Sequence, residues 1–175
     1  SGYTAWKLAD GTILISEAMQ VSIRAGPSVS FWACAGNRNT TPAGNITAFD
    51  CHGCELTHID VTELVSLEYL DCSFNRLTDI NLAGLRELQA LDVEGNQLSQ
   101  LDVRGLPTLR MLNCASNRLT ELDMTGLAAL KVVDCSGNPL ERVNWKGCTS
   151  LQECKGAGPK PRNGVGCSSE LKGLG

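Results

Sequence analysis

The stretch YLDCSFNRLTDINLAGL, residues 69–85, returns 42 residues later as MLNCASNRLTELDMTGL, residues 111–127. The cysteine, the asparagine and the leucines keep their offsets while the residues between them change, so the spacing answers a physical demand. Extended in both directions, the pattern gives five consecutive, ungapped blocks of 21 residues covering 46–150: ITAFDCHGCELTHIDVTELVS, LEYLDCSFNRLTDINLAGLRE, LQALDVEGNQLSQLDVRGLPT, LRMLNCASNRLTELDMTGLAA and LKVVDCSGNPLERVNWKGCTS. Upstream, VSFWACAGNRN (29–39) reproduces the first half of a block at a shortened interval of 17, and LQECKG (151–156) begins another before the pattern fails. The array therefore reads as six strand-bearing units and a frayed seventh.

Each column has a physical task. The fourth position carries Phe49, Leu70, Leu91, Leu112 and Val133, and the sixth carries Cys51, Cys72, Val93, Cys114 and Cys135, with Cys34 ahead of them. In an extended segment alternate side chains share a face, so these two columns point inward while the third and fifth point out. That is a short strand with one buried face. The second half of each block holds Leu56, Leu77, Leu98, Leu119 and Leu140, then the triplets IDV, INL, LDV, LDM and VNW. These alternate too and predict a second extended segment on the opposite side of every block. Glycines at 84, 105, 126 and 147 then permit the turn back.

One block cannot bury its apolar face alone, whereas stacked copies build a continuous core, which is the logic of a solenoid. The blocks match the leucine-rich repeat pattern L-x-x-L-x-L-x-x-N/C-x-L over roughly 29–156. With cysteine at the inward strand position and LTxLDV in the second half, the sequence resembles the 21-residue cysteine-ladder repeats of internalin J and related bacterial surface proteins. The resemblance implies a leucine-rich repeat solenoid of the α/β horseshoe class, here mostly β with little helix. It implies a right-handed curved array with a parallel concave sheet and short convex strands. Val93 departs from the cysteine column, and neither end matches a known cap.

Asn37, Asn75, Asn96, Asn117 and Asn138 share a column just past the strand, where the chain turns inward and leaves backbone groups without ladder partners. A stacked amide both donates and accepts, so it can satisfy neighbouring turns. These residues and the cysteines Cys34, Cys51, Cys72, Cys114 and Cys135 are read as structural ladders. Buried cysteine behaves as a small hydrophobe, and parallel side chains one strand spacing apart, about 4.8 Å, exceed the ~3.8 Å Cβ separation of a disulfide. The ladder cysteines are expected to be thiols.

Composition excludes several classes. A net charge of −4 and a pI near 5.2 do not make the basic face that nucleic-acid binding needs. No apolar run approaches the roughly 20 residues of a membrane span. The opening SGYTAWKLADG has no initiator methionine, basic n-region or hydrophobic h-region, and reads as a processed or truncated product. No nucleophile elbow or phosphate loop is present, so an enzyme is not expected and no cofactor is called for. The stretch CHGCELTH (51–58) holds a C-x-x-C beside the chain's two histidines. Zinc favours such a set, yet Cys51 belongs to the ladder column and Cys54 to the asparagine column, and His52 should project opposite to Cys51. No metal site is expected; a metal or redox site at Cys51 and Cys54 is the lesser alternative.

Function should then lie on the outward face of the strands. The third column reads Phe31, Ala48, Tyr69, Ala90, Met111, Val132, and the fifth reads Ala33, Asp50, Asp71, Asp92, Asn113, Asp134. An apolar stripe beside an acidic one suits a contact surface. The candidate partner-binding residues are Phe31, Tyr69, Asp71, Phe74, Asp92, Met111 and Asp134. Like charges one strand apart repel by about 1 kcal/mol in water, offset by hydrogen bonds within each turn, a cationic partner or bound calcium. Residues 1–28 read as an N-terminal cap with the β-like runs TILIS and QVSIRA, 29–156 as the repeats, and 157–175 as an irregular cap or tail. Cys167 is a candidate disulfide partner of Cys148 or Cys154. The functional expectation is a monomeric, non-catalytic protein-binding module with a basic, host or cell-surface protein partner; the resemblance implies a bacterial extracellular or cell-surface location. A structural spacer or fragment of a larger solenoid is the alternative.

Overall fold

The computed structural model describes residues 47–62 and 64–156, together with the backbone of three short strands, β1 (Trp6–Lys7), β2 (Ile13–Leu14) and β3 (Ser28–Ser30). Within the array, β4 (Ala48–Asp50), β6 (Tyr69–Asp71), β7 (Ala90–Asp92), β8 (Met111–Asn113), β10 (Val132–Asp134) and β12 (Glu153–Lys155) form one parallel sheet. The register steps by 21 residues at every pair, as in Ala48↔Tyr69, Tyr69↔Ala90, Ala90↔Met111, Met111↔Val132 and Val132↔Glu153. The ungapped repeat of the sequence is thus the pitch of the solenoid. Among the described residues there is no helix.

The middle residue of each sheet strand points inward, and Phe49, Leu70, Leu91, Leu112, Val133 and Cys154 are all 1% exposed or less. They meet the cysteine column and the leucines of the turns in one continuous core. Paired i to i+3 turns return the chain, as in Leu106 N to Val103 O and Leu109 N to Leu106 O. Gly84, Gly126 and Gly147 adopt positive φ there, but Gly105 does not; the fold demands glycine at three of the four positions that the spacing singled out.

The amides of the asparagine column close the other bend. Asn96 donates from Nδ2 to the carbonyls of Cys72 and Val93 (both 3.0 Å) and accepts at Oδ1 from Leu77 N (3.0 Å). Asn117 and Asn138 repeat this one and two coils on. Asn75 accepts from both Cys54 N and Leu56 N. Each amide spans its own coil and the preceding one, so buried backbone groups that no strand can pair are satisfied. Asn37 and Cys34 lie outside the described residues.

Three expectations change. First, the fraying block at 151–156 supplies a strand of the long sheet, while residues 31–46, where another strand was expected, lie outside the described ones; β3 just before them pairs in parallel with β5 (His58–Asp60) on the opposite face. The fraying block's strand is β12. It forms because Cys154 still fills the inward position and Lys155 O accepts from Cys135 N (2.9 Å) and Cys135 Sγ (3.2 Å). The next residue, Gly156, takes the cysteine position with φ +72°, and a Cβ there would lie 2.2 Å from Ser136 Cα. Second, opposite-face strands do not form in every block. Among the described residues, β3 pairs with β5 and β9 (Glu121–Asp123) with β11 (Arg142–Asn144), and the INL and LDV triplets form no strand. A cleft of about 300 Å³ lined by Gln100, Leu101, Asp102, Arg104, Glu121 and Asp123 lies beside the LDV triplet. Third, Ala48, Asp50 and Ala90, placed on the outward face, are buried.

At the N-terminal side, β1 and β2 pair antiparallel and lie against β4. QVSIRA and the tail 157–175, with Cys167, fall outside the described residues.

Candidate recognition surface

The outward columns of the long sheet stand side by side because the strands are in register. Met111 and Phe74 are the prominent apolar groups, 50% and 58% exposed. Tyr69 is half-buried, and Phe31 is outside the described residues. Asp71, Asp92, Asn113 and Asp134 are half-buried, while Asp50 is 5% exposed.

The acidic row is held by a turn that the sequence shows as D-x-S, D-x-E or D-x-H. Each fifth-column oxygen accepts from the backbone N–H two residues on: Asp50 from His52 (3.0 Å), Asp71 from Ser73 (2.9 Å), Asp92 from Glu94 (3.0 Å), Asn113 from Ala115 (3.2 Å) and Asp134 from Ser136 (3.0 Å). The hydroxyl of Ser136 adds a second bond to Asp134 (2.6 Å). Hydrogen bonds within each turn therefore supply part of what repelling carboxylates need. Asn113 supplies another part, its Nδ2 donating to Glu94 Oε2 (2.9 Å) and Asp92 Oδ2 (3.4 Å) across the strands.

The offset is incomplete. Burial pushes the Asp92 carboxyl up to about 6, with the charges of Asp71 and Glu94 acting in the same direction against the bond from Glu94 N–H. Asp50 is likewise raised by burial and by Asp71. The neighbouring Cys72 and Cys114 thiols are raised far above their ordinary range by burial, so they are neither nucleophiles nor easily ionised ligands.

Phe74 is the feature that sequence spacing did not explain. The eighth column holds Gly53, Phe74, Gly95, Ser116 and Gly137, and every one has positive φ. Its N–H points along the solenoid, as in Phe74 N to Glu94 O (2.7 Å) and Gly95 N to Ala115 O (3.0 Å). Only glycine takes that conformation without steric cost, so glycine at every second place of the column, Gly53, Gly95 and Gly137, was the signal available in the sequence. The Phe74 ring lies over Gly95, where a Cβ would come 2.6 Å from Cδ1.

The C-x-x-C spans the core and the bend. Cys51 is in the core, and Cys54 donates its Nα–H to Asn75 Oδ1 (3.0 Å) and its Sγ–H to His52 O (3.4 Å). His52 turns to the outward side, where Nδ1 meets Asp50 Oδ1 at 3.0 Å. Cys148 and Cys154 are buried on the inward columns, Cys148 donating its Sγ–H to Met124 O (3.1 Å).

A family profile described as leucine-rich repeats in two copies matches residues 65–105. No curated protein sequence matches significantly. Among solved structures, the functional domain of InlJ from Listeria monocytogenes, which includes a cysteine ladder, matches with a TM-score of 0.65 and 30% identity. The match covers 74% of this chain and 27% of that one, so the chain spans about a quarter of the solved InlJ domain. The 21-residue register, the buried cysteine column and both comparisons agree: the chain is a leucine-rich repeat solenoid resembling the cysteine-ladder domain of InlJ.

Proposed function

We propose that this solenoid is a non-catalytic protein-recognition module that binds a basic protein partner on the concave, long-sheet face. The observation that carries the reading is Phe74. A left-handed backbone costs a bulky residue about 1–2 kcal/mol relative to glycine, and the ring placed there is 58% exposed. Folding alone favours glycine at that position, as at Gly53, Gly95 and Gly137. Strained, exposed aromatics are characteristic of binding sites.

Tyr69 and Met111 flank Phe74 as further anchors. Asp71, Asp92 and Asp134 select positive charge, and a partner cation would relieve the repulsion that raises Asp92. Six strands at about 4.8 Å spacing make a face roughly 24 Å across, so a few central side chains should carry most of the binding energy. The likeness to InlJ, a Listeria protein, supports a bacterial extracellular or cell-surface setting, and a host protein as the partner is part of this proposal. The chain acts as a monomer in this reading, and catalysis has no part in it.

Capture from host-cell extracts tests the reading with three immobilised forms: wild type, Tyr69→Ala/Phe74→Ala/Met111→Ala, and Arg104→Ala on the opposite face. A basic protein retained by wild type and Arg104→Ala, lost by the triple variant and released by salt is the expected result. Loss by Arg104→Ala with retention by the triple variant, at unchanged circular dichroism, overturns the choice of face.

A further inference from the structure

At the β4 end of the acidic row, one oxygen each of Asp50 and Asp71 and one ring nitrogen of His52 lie within 4.8 Å of one another. Acidic groups close together are common without a ligand, and the turn bonds to Asp50 and Asp71 are shared by the whole column. Asp50 differs from the rest of its column. Its side chain is 2% exposed, and its Oδ2 is sealed from solvent with no hydrogen-bond partner. A buried carboxylate oxygen that has lost its water needs a donor or a cation in return. Beside it on the adjoining strand stands another carboxylate, Asp71.

We propose that Asp50, His52 and Asp71 bind a divalent transition-metal ion, of which Zn²⁺ is the representative. Two carboxylates and one imidazole make a mixed oxygen and nitrogen set suited to a borderline ion. Calcium and magnesium favour oxygen alone. Metal–ligand bonds of about 2.0–2.2 Å put ligand atoms roughly 3–3.5 Å apart. His52 Nδ1 and Asp50 Oδ1 are already 3.0 Å apart, and the closure left to make falls on Asp71 and His52, both partly exposed. The solvent side leaves positions for water. The ion would neutralise one end of the row and give Asp50 Oδ2 a partner.

The site uses His52 from the C-x-x-C stretch without either cysteine. It stands independently of the protein-recognition reading, since its ligands bind the ion whether or not a partner exists.

The test is calorimetric titration of ZnCl₂ into the reduced, metal-stripped full chain, with Co²⁺ absorption to identify the ligands. Asn113 shows that an amide keeps the turn in this column, so Asp50→Asn and Asp71→Asn preserve the fold; circular dichroism checks this. One Zn²⁺ per chain is expected, weakened about 10- to 100-fold or more in Asp71→Asn and His52→Ala, since even second-shell changes cost that much. Asp134→Asn should bind as wild type does, and Co²⁺ should give ligand-field bands without thiolate charge transfer. No binding by wild type, equal affinity in Asp71→Asn, preference for Ca²⁺, or a thiolate band removed by Cys54→Ser each overturns the proposal.

Discussion

The two faces of each coil are made with the same local device and end in opposite electrostatic states. On the long sheet, Asp71, Asp92 and Asp134 accept from the N–H two residues on; on the opposite face Asp60 accepts from Thr62, Asp102 from Arg104 and Asp123 from Thr125. Yet burial raises Asp50 and Asp92, while side-chain and backbone hydrogen bonds from Thr62, Arg104 and Thr125 lower Asp60, Asp102 and Asp123. The difference is packing. Asp50 and Asp92 lose water on the long sheet, whereas Asp60 and Asp102 stay exposed, and the hydroxyls of Thr62 and Thr125 add bonds to Asp60 and Asp123. A turn motif therefore fixes where a carboxylate sits but not how it titrates.

The largest effect should come from the core. Leu112→Ala, 0% exposed beneath β8, should cost about 2–5 kcal/mol, and Leu101→Ala beside the cleft under about 2, because that site can relax. Urea unfolding of both variants measures the contrast, and equal losses would break it.

Next come the amides. Asn117→Ala strands the carbonyls of Val93 and Cys114 and the N–H of Leu98; a loss of about 1–3 kcal/mol is expected. Asn81→Ala removes one exposed bond, to Ala83 N, and should cost less than about 1 kcal/mol. Similar melting temperatures for the two would show that the inward column is not special.

The sharpest test of the electrostatic contrast is pH. Asp92 has its carboxyl raised to about 6, so the folded state binds its proton more tightly than the unfolded chain does. Its contribution is present below about pH 4 and is lost as pH rises through about 6. Asp60, Asp102 and Asp123 act in the reverse sense, losing stability as pH falls through their lowered values. In chelator, Asp92→Asn should flatten the decline between pH 4 and 6 and stabilise the fold by about 1 kcal/mol at pH 7.5. Asp102→Asn should stabilise nothing. A gain from Asp102→Asn matching that of Asp92→Asn would dissolve the distinction between the faces.

The smallest effect concerns Phe74. Phe74→Gly relieves the left-handed backbone and adds unfolded-state entropy, so stability should change by no more than about 1 kcal/mol in either direction. A loss of several kcal/mol, read by thermal melting, would make Phe74 a packing residue and remove the main support for the recognition surface.

Much of this was legible before the structure. The 21-residue spacing alone requires stacked coils, because one coil leaves its leucines in water, and the inward columns follow from alternation in an extended chain. The asparagine column followed from the need to satisfy backbone at a bend. The strain at Phe74 was less visible, because one column carries Gly, Phe and Ser together and only the backbone shows that all of them are left-handed. The pairing of His52 with Asp50 was hidden by the C-x-x-C around it, which drew attention to sulfur.

Sequence by itself determined the pitch, the core and the two turn chemistries, since each is a local consequence of side-chain period and hydrogen-bonding groups repeated in register. Tertiary structure alone decided that the fraying block still adds β12, which opposite-face triplets pair, and which aspartates are buried. Those outcomes depend on how closely neighbouring coils approach, and that distance is set by the whole stack, which no single block encodes.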